Sequence, residues 1–142
     1  MRKLLVPIDG SENATRALDY ALRLAKEKGP IELHLVTVHP EPLIYGEIQV
    51  YVSKEKMDEM QKAHSEDILR PAMEAAAAAG VPHTSEILIG DTAPMIVAKA
   101  EELGCDGIVM GTRGLGAMGN LVMGSVATKV IHLTKLPVTL IK

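Results

Sequence analysis

Short apolar runs alternate along this chain with longer stretches in which apolar residues recur every three or four positions. Lys3 to Ile8 (KLLVPI) has few polar positions and reads as a buried strand. Ser11 to Lys28 places Leu18, Ala21, Leu22 and Ala25 on one helical face, and Gly29-Pro30 ends that helix. Ile31 to Val38 (IELHLVTV) is a second strand. Pro40 to Val52 carries Pro40, Pro42 and Gly46 and reads as an irregular surface excursion. Ser53 then caps a long helix with Met57, Met60, His64 and Ile68 at helical spacing. Pro71 is expected to kink or restart it, and Ala75 to Ala79 carry it on to Gly80. His83 to Ile89 is a third strand, Asp91 to Leu103 a helix and Gly107 to Met110 a fourth strand. A helix beginning at Leu121 or Ser125 runs to Leu133, and Pro137 to Ile141 (PVTLI) closes the chain as a strand.

This order of strand and helix predicts an α/β fold, an open doubly wound parallel sheet of five strands with helices on both faces. No linker or shift of composition divides the chain, so residues 1–142 are expected to form a single domain. A chain of this length buries about 68% of its unfolded surface, enough for a substantial core. Sheets of this kind bind ligands beyond the carboxyl ends of their strands, where strand order reverses. Asp9, His39, Asp91 and Thr112 are expected on that rim.

The stretch MGTRGLGAMGNLVMGSVATKVI, Met110 to Ile131, carries the most chemistry. It leaves a strand at Gly111, passes Gly114, Gly116 and Gly119, and enters a helical pattern at Gly124-Ser125. Glycine lets backbone N–H groups approach a ligand closely because no Cβ intervenes. The helix that follows turns its free N–H groups and positive dipole end toward the loop, which suits phosphate. The loop lacks the Gly-Lys-[Ser/Thr] of a Walker A motif. Gly114-x-Gly116-x-x-Gly119 has the letters of the dinucleotide fingerprint but follows the fourth strand rather than the first.

Composition narrows the ligand. There is no Phe or Trp and there are three Tyr, so base stacking on aromatic rings, the usual route to single-stranded nucleic acid, is essentially absent. A net charge of −3 argues against a phosphate-backbone binder but not against a small anion held by backbone amides. Cys105 is the single cysteine, so no intramolecular disulfide forms, as befits a reducing compartment. No segment approaches membrane-spanning length. A cytoplasmic protein is expected.

Gly111-x2-Gly114-x9-Gly124-Ser125 matches the G-x2-G-x9-G-[ST] signature of ATP-binding universal stress proteins, and the likeness extends to both ends. LLVPIDGSENATRAL resembles that family's opening strand, acidic turn and first helix, and LTKLPVTLIK its closing helix, proline and strand. The resemblance implies a sheet of order 3-2-1-4-5, adenine nucleotide alpha hydrolase-like, in a homodimer paired through the C-terminal strand. It implies ATP with Mg²⁺ as ligand and a regulatory protein partner of unknown identity, without nucleic acid or membrane. By motif position, Pro7 and Asp9 are expected near the adenosine and Val38 against adenine. Met110 and Gly111 would line the same pocket, Gly114 would approach the phosphates, and Gly124, Ser125 and Val126 would hold them. The chain departs from many binders at Ala127, where they carry a hydroxyl; neighbouring Thr128 faces another way on a helix.

Several residues admit two readings. Asp9 can cap the first helix or contact ribose or Mg²⁺, whereas Ser11 suits a cap. Arg113 is a solvated side chain or a bidentate partner of phosphate. Asp91 suits a helix cap. Val38 and Met110 are core residues or the two sides of an adenine slot. None of the five histidines has zinc-like spacing with another or with Cys105, so no metal site of protein ligands is assigned, and no nucleophile has an evident base. The favoured function is a nucleotide-dependent regulator with at most slow ATP hydrolysis. Alternatives are a low-turnover ATPase or nucleotide hydrolase using Asp9 and Arg113, and a structural dimer without nucleotide. A phosphorelay receiver would need paired acids after strand one, where Gly10-Ser11 stand.

Overall fold

A computed structural model describes residues 2–40, 53–114 and 123–142. The elements are β1 (Arg2–Pro7), α1 (Glu12–Lys28), β2 (Ile31–His39), α2 (Lys54–Ala78), β3 (His83–Ile89), α3 (Thr92–Glu102), β4 (Gly107–Gly111), α4 (Ser125–Leu133) and β5 (Val138–Ile141). All strand pairs are parallel, in the order β3-β2-β1-β4-β5. The doubly wound sheet is therefore the one the pattern of elements predicts, and its order is the one the family resemblance implies.

Successive strand side chains point to opposite faces, and that alternation divides the core in two. Val6 and Ile8 join Ala17, Leu18, Ala21 and Leu22 of α1 and Leu69, Ala72 and Ala76 of α2 on one face. Leu5, Ile108 and Met110 join Ile96, Val97 and Ala100 of α3 and Ala127 and Val130 of α4 on the other. Full burial of a Leu, Ile or Val side chain contributes about 1.5–3 kcal/mol, so these two aliphatic layers hold the sheet without aromatic residues.

α2 runs through Pro71 as one helix, so of the kink or restart expected there it makes no restart. Pro71 denies the Asp67 carbonyl its usual i+4 donor, but both residues are exposed, so water can take that bond. The buried face is Ser65, Leu69, Ala72 and Ala76, whereas Met60 of the predicted stripe is 60% exposed and His64 is exposed as well. Neighbouring alanines give almost no periodic signal, so packing on the sheet decides which of them turn inward. His39, expected beyond β2, is its last residue. The excursion around Pro42 and Gly46, together with Gly116, Gly119 and Leu121, lies outside the described residues.

Candidate functional site

Strand order reverses between β1 and β4, which pair through Leu4 with Gly107 and Leu5 with Ile108. Chains leaving the carboxyl ends of these two strands diverge, and a crevice opens between them. It holds a cavity of about 420 Å³. Pro7, Asp9, Val38, Met110, Gly111, Arg113, Gly114, Gly124, Ser125 and Val126, the candidate nucleotide contacts, line it, whereas His39 and Asp91, expected on the same rim, do not. Ile8, Ala14, Val36, Thr92, Ile96, Thr112 and Ala127 complete the wall. Of these, Val36 and Ile96 were within reach of simple periodicity. Val36 shares the strand face of Val38, two residues on, and Ile96 lies one helical turn after Thr92.

The α1 side of the cavity is built by local capping. The Ser11 hydroxyl accepts from the Ala14 amide at 3.1 Å and is the N-cap of α1. Oδ1 of Asp9 accepts the Ser11 amide at 2.9 Å, fixing the carboxylate just ahead of the helix. Gly10 turns the chain between them at φ +85°, a left-handed conformation that favours glycine. The other oxygen, Asp9 Oδ2, lies against Gly114 so closely that a Cβ there would collide with it. Asp9 thus supplies the turn before the helix, and Ser11 supplies the cap.

The β4 side is a chain of backbone contacts. Gly111 packs on α1, where an added Cβ would stand 2.8 Å from the Asn13 Cβ. Thr112 donates its amide to the Ile141 carbonyl at 2.9 Å and accepts the Gly124 amide at 2.6 Å. That last bond brings the two ends of the glycine loop together. Gly124 is the N-cap of α4 and has no capping side chain. The amides of Ser125, Val126 and Ala127 in the first turn of α4 therefore have neither intrahelical acceptors nor a side-chain cap, and all three residues line the cavity. Ala127 is 1% exposed, with its methyl in the wall. The Thr128 hydroxyl donates back to the Gly124 carbonyl at 2.9 Å and is exposed, so it does not replace a hydroxyl at position 127. Asp91 is the N-cap of α3 but makes no side-chain capping bond.

One crevice thus combines aliphatic side chains of Val36, Val38, Ile96 and Met110, a helix start with free donors, one carboxylate and one guanidinium. Free amides and Arg113 suit an anion. Asp9 is a hard oxygen donor suited to Mg²⁺ shared with phosphate oxygens. Among the described residues no group of three His, Cys, Asp or Glu side chains could hold a metal alone, and no helix is long and apolar enough to cross a membrane.

Known proteins agree with this architecture. The chain is 36% identical to universal stress protein YxiE of Bacillus subtilis over 99% of its own length and 98% of that protein's. It superposes on hypothetical protein MJ0577 with a TM-score of 0.86 and 27% identity, over 99% of this chain and 95% of that one. A universal stress protein solved in complex with cAMP matches with a TM-score of 0.69 and 25% identity, over 99% and 96% of the two chains. The model of the universal stress protein family matches residues 1–142, and the chain belongs to that family.

Proposed function

We propose that this protein binds an adenine nucleotide, ATP with Mg²⁺, in the crevice between β1 and β4 and acts as a nucleotide-dependent regulator in the stress response. The observation that carries the proposal is the juxtaposition of an aliphatic slot and an uncapped helix start in one cavity of nucleotide size. In this reading Val38 and Met110 flank the base, with Pro7 and Asp9 beside the ribose. The amides of Ser125 and Val126, with Gly111, Gly114, Gly124 and Arg113, receive the phosphates. Asp9 then balances its own charge through Mg²⁺. The cAMP-bound relative supports an adenine ligand on this fold. In this reading nucleotide occupancy sets the surface presented to a regulatory protein partner, and a reducing cytoplasm suits the single buried thiol of Cys105.

Hydrolysis is slow in this account. Phosphoryl transfer needs a positioned nucleophile and dense compensation of charge, and the carboxylate lining the cavity is already engaged by the Ser11 amide. Asp9 and Arg113 in one cavity do favour a second reading as a low-turnover ATPase, which turnover measured against Asp9→Ala decides. The binding claim is tested by thermal unfolding. A ligand of the native state alone stabilises it by mass action, about 2.7 kcal/mol at a hundredfold excess over Kd. Millimolar ATP with Mg²⁺ should raise the Tm by several degrees, and an unmoved transition would overturn the proposal.

A further inference from the structure

Thr112 is 5% exposed, and each of its polar groups is committed to a different element. Its amide holds the end of β5 through the Ile141 carbonyl, and its carbonyl holds the N-cap of α4 through the Gly124 amide. Its hydroxyl oxygen accepts Nδ2 of Asn13, itself buried in α1, at 3.3 Å. Asn13 is oriented in turn, because its Oδ1 accepts Nη2 of Arg16. The same guanidinium donates Nε to the Lys142 carbonyl at 2.7 Å. Arg16 lies outside the nucleotide cavity, in a surface hollow with Asp19, Tyr20, Arg23 and Ile141. Its Nη1 stands 3.7 Å from Glu12 in an exposed pair that contributes little.

These contacts close a ring. The chain just after β5 is held by Arg16, Arg16 by Asn13, Asn13 by Thr112, and Thr112 by both β5 and the start of α4. We infer that Asn13 and Arg16 are positioning residues for the phosphate-binding start of α4 and couple its occupancy to the C-terminal edge strand of the sheet. The inference rests on the nucleotide reading of the cavity. A ligand that draws the Ser125 and Val126 amides onto its phosphates pulls on Gly124, hence on Thr112, whose other bonds end on Ile141 and, through Asn13 and Arg16, on Lys142. Because linkage is reciprocal, anything that orders the end of β5 favours the ligand by the same factor.

Arg16→Lys is the discriminating variant. It keeps the positive charge but loses the planar fork that reaches Asn13 and Lys142 together. Titration with ATP and Mg²⁺ should show about a 3- to 10-fold loss of affinity in Arg16→Lys and in Asn13→Ala, and no further loss in the double variant, since both remove one brace. Amide exchange should show β5 gaining protection on nucleotide addition in the wild type and less of that gain in Arg16→Lys. Wild-type affinity in a folded Arg16→Lys protein, or losses that multiply in the double variant, would overturn the brace while leaving the nucleotide site intact. A wild-type protein that binds no nucleotide would overturn the site and the coupling together. Without any ligand, faster exchange at Gly124 in Arg16→Lys is the result the brace predicts, and unchanged exchange there would contradict it.

Discussion

Gly111 and Gly114 belong to one signature, yet different neighbours demand them. A Cβ on Gly111 would meet the Cβ of Asn13 at 2.8 Å and its carbonyl carbon at 3.0 Å. The second of these is helix backbone, which cannot step aside as a side chain can. Gly111→Ala should therefore cost stability, about 1–3 kcal/mol as for other overpacked sites, read from the denaturant midpoint. At Gly114 the obstacle is only the Asp9 carboxylate, on a side chain that can turn at the cost of its bond from the Ser11 amide. Gly114→Val should stay folded, with a midpoint lowered by no more than that one hydrogen bond, about 1 kcal/mol, yet lose nucleotide binding because its side chain fills the phosphate approach. A folded Gly114→Val protein with wild-type affinity would remove this loop from the site. The sequence made both glycines conspicuous through their spacing. It could not show which was needed for packing, because Asn13 and Asp9 reach them from a distant part of the chain.

Among the elements, α3 is tied to β2 and β3 by a relay of polar and charged side chains. Nε2 of the buried His34 on β2 lies 3.2 Å from Glu86 on β3, and Lys99 of α3 reaches Glu86 at 3.1 Å and Glu102 at 2.8 Å. Burial alone would raise the Glu86 pKa, but hydrogen bonds from Lys99 and His34 outweigh it and hold the carboxyl below its ordinary 4.5. Ionised Glu86 therefore favours the folded state above the unfolded pKa, and that contribution fades as pH falls through the lower folded value. Glu86→Gln should be less stable than wild type at pH 7, by under about 1 kcal/mol for a partly exposed pair, with the gap closing below pH 4.5. A gap that stays constant on acidification would deny the relay its role. Element positions were largely legible, since strand and helix periods differ and Ser11, Ser53 and Gly80 punctuate them. The inward face of α2 was not. Ala72 and Ala76 are chosen over their alanine neighbours only by where the helix meets the sheet.

At the scale of the whole molecule, the sequence order of elements and the right-handed crossovers they require leave few sheets to choose from, and the family resemblance selected one of them. The crevice follows from that order, so residues far apart in sequence, such as Val38 and Gly124, could be assigned to one site before any geometry was known. What remained hidden was that Thr92 and Ile96 close one wall: Asp91 and the helical period mark α3 and its faces, but not which turn of it meets the crevice. β5 forms one edge of the sheet, half-buried along its length, and its outer hydrogen-bonding row invites a second strand. We expect a two-fold homodimer paired there, and light scattering at tens of micromolar should return twice the chain mass of 15.2 kDa. A monomer mass would leave that edge to another cover. The central claim, a nucleotide in the β1–β4 crevice, is tested most directly by calorimetric titration of nucleotide-free protein with ATP and Mg²⁺. Saturable heat at one nucleotide per chain, lost in Gly114→Val, is expected; no saturable heat at millimolar nucleotide would overturn the site.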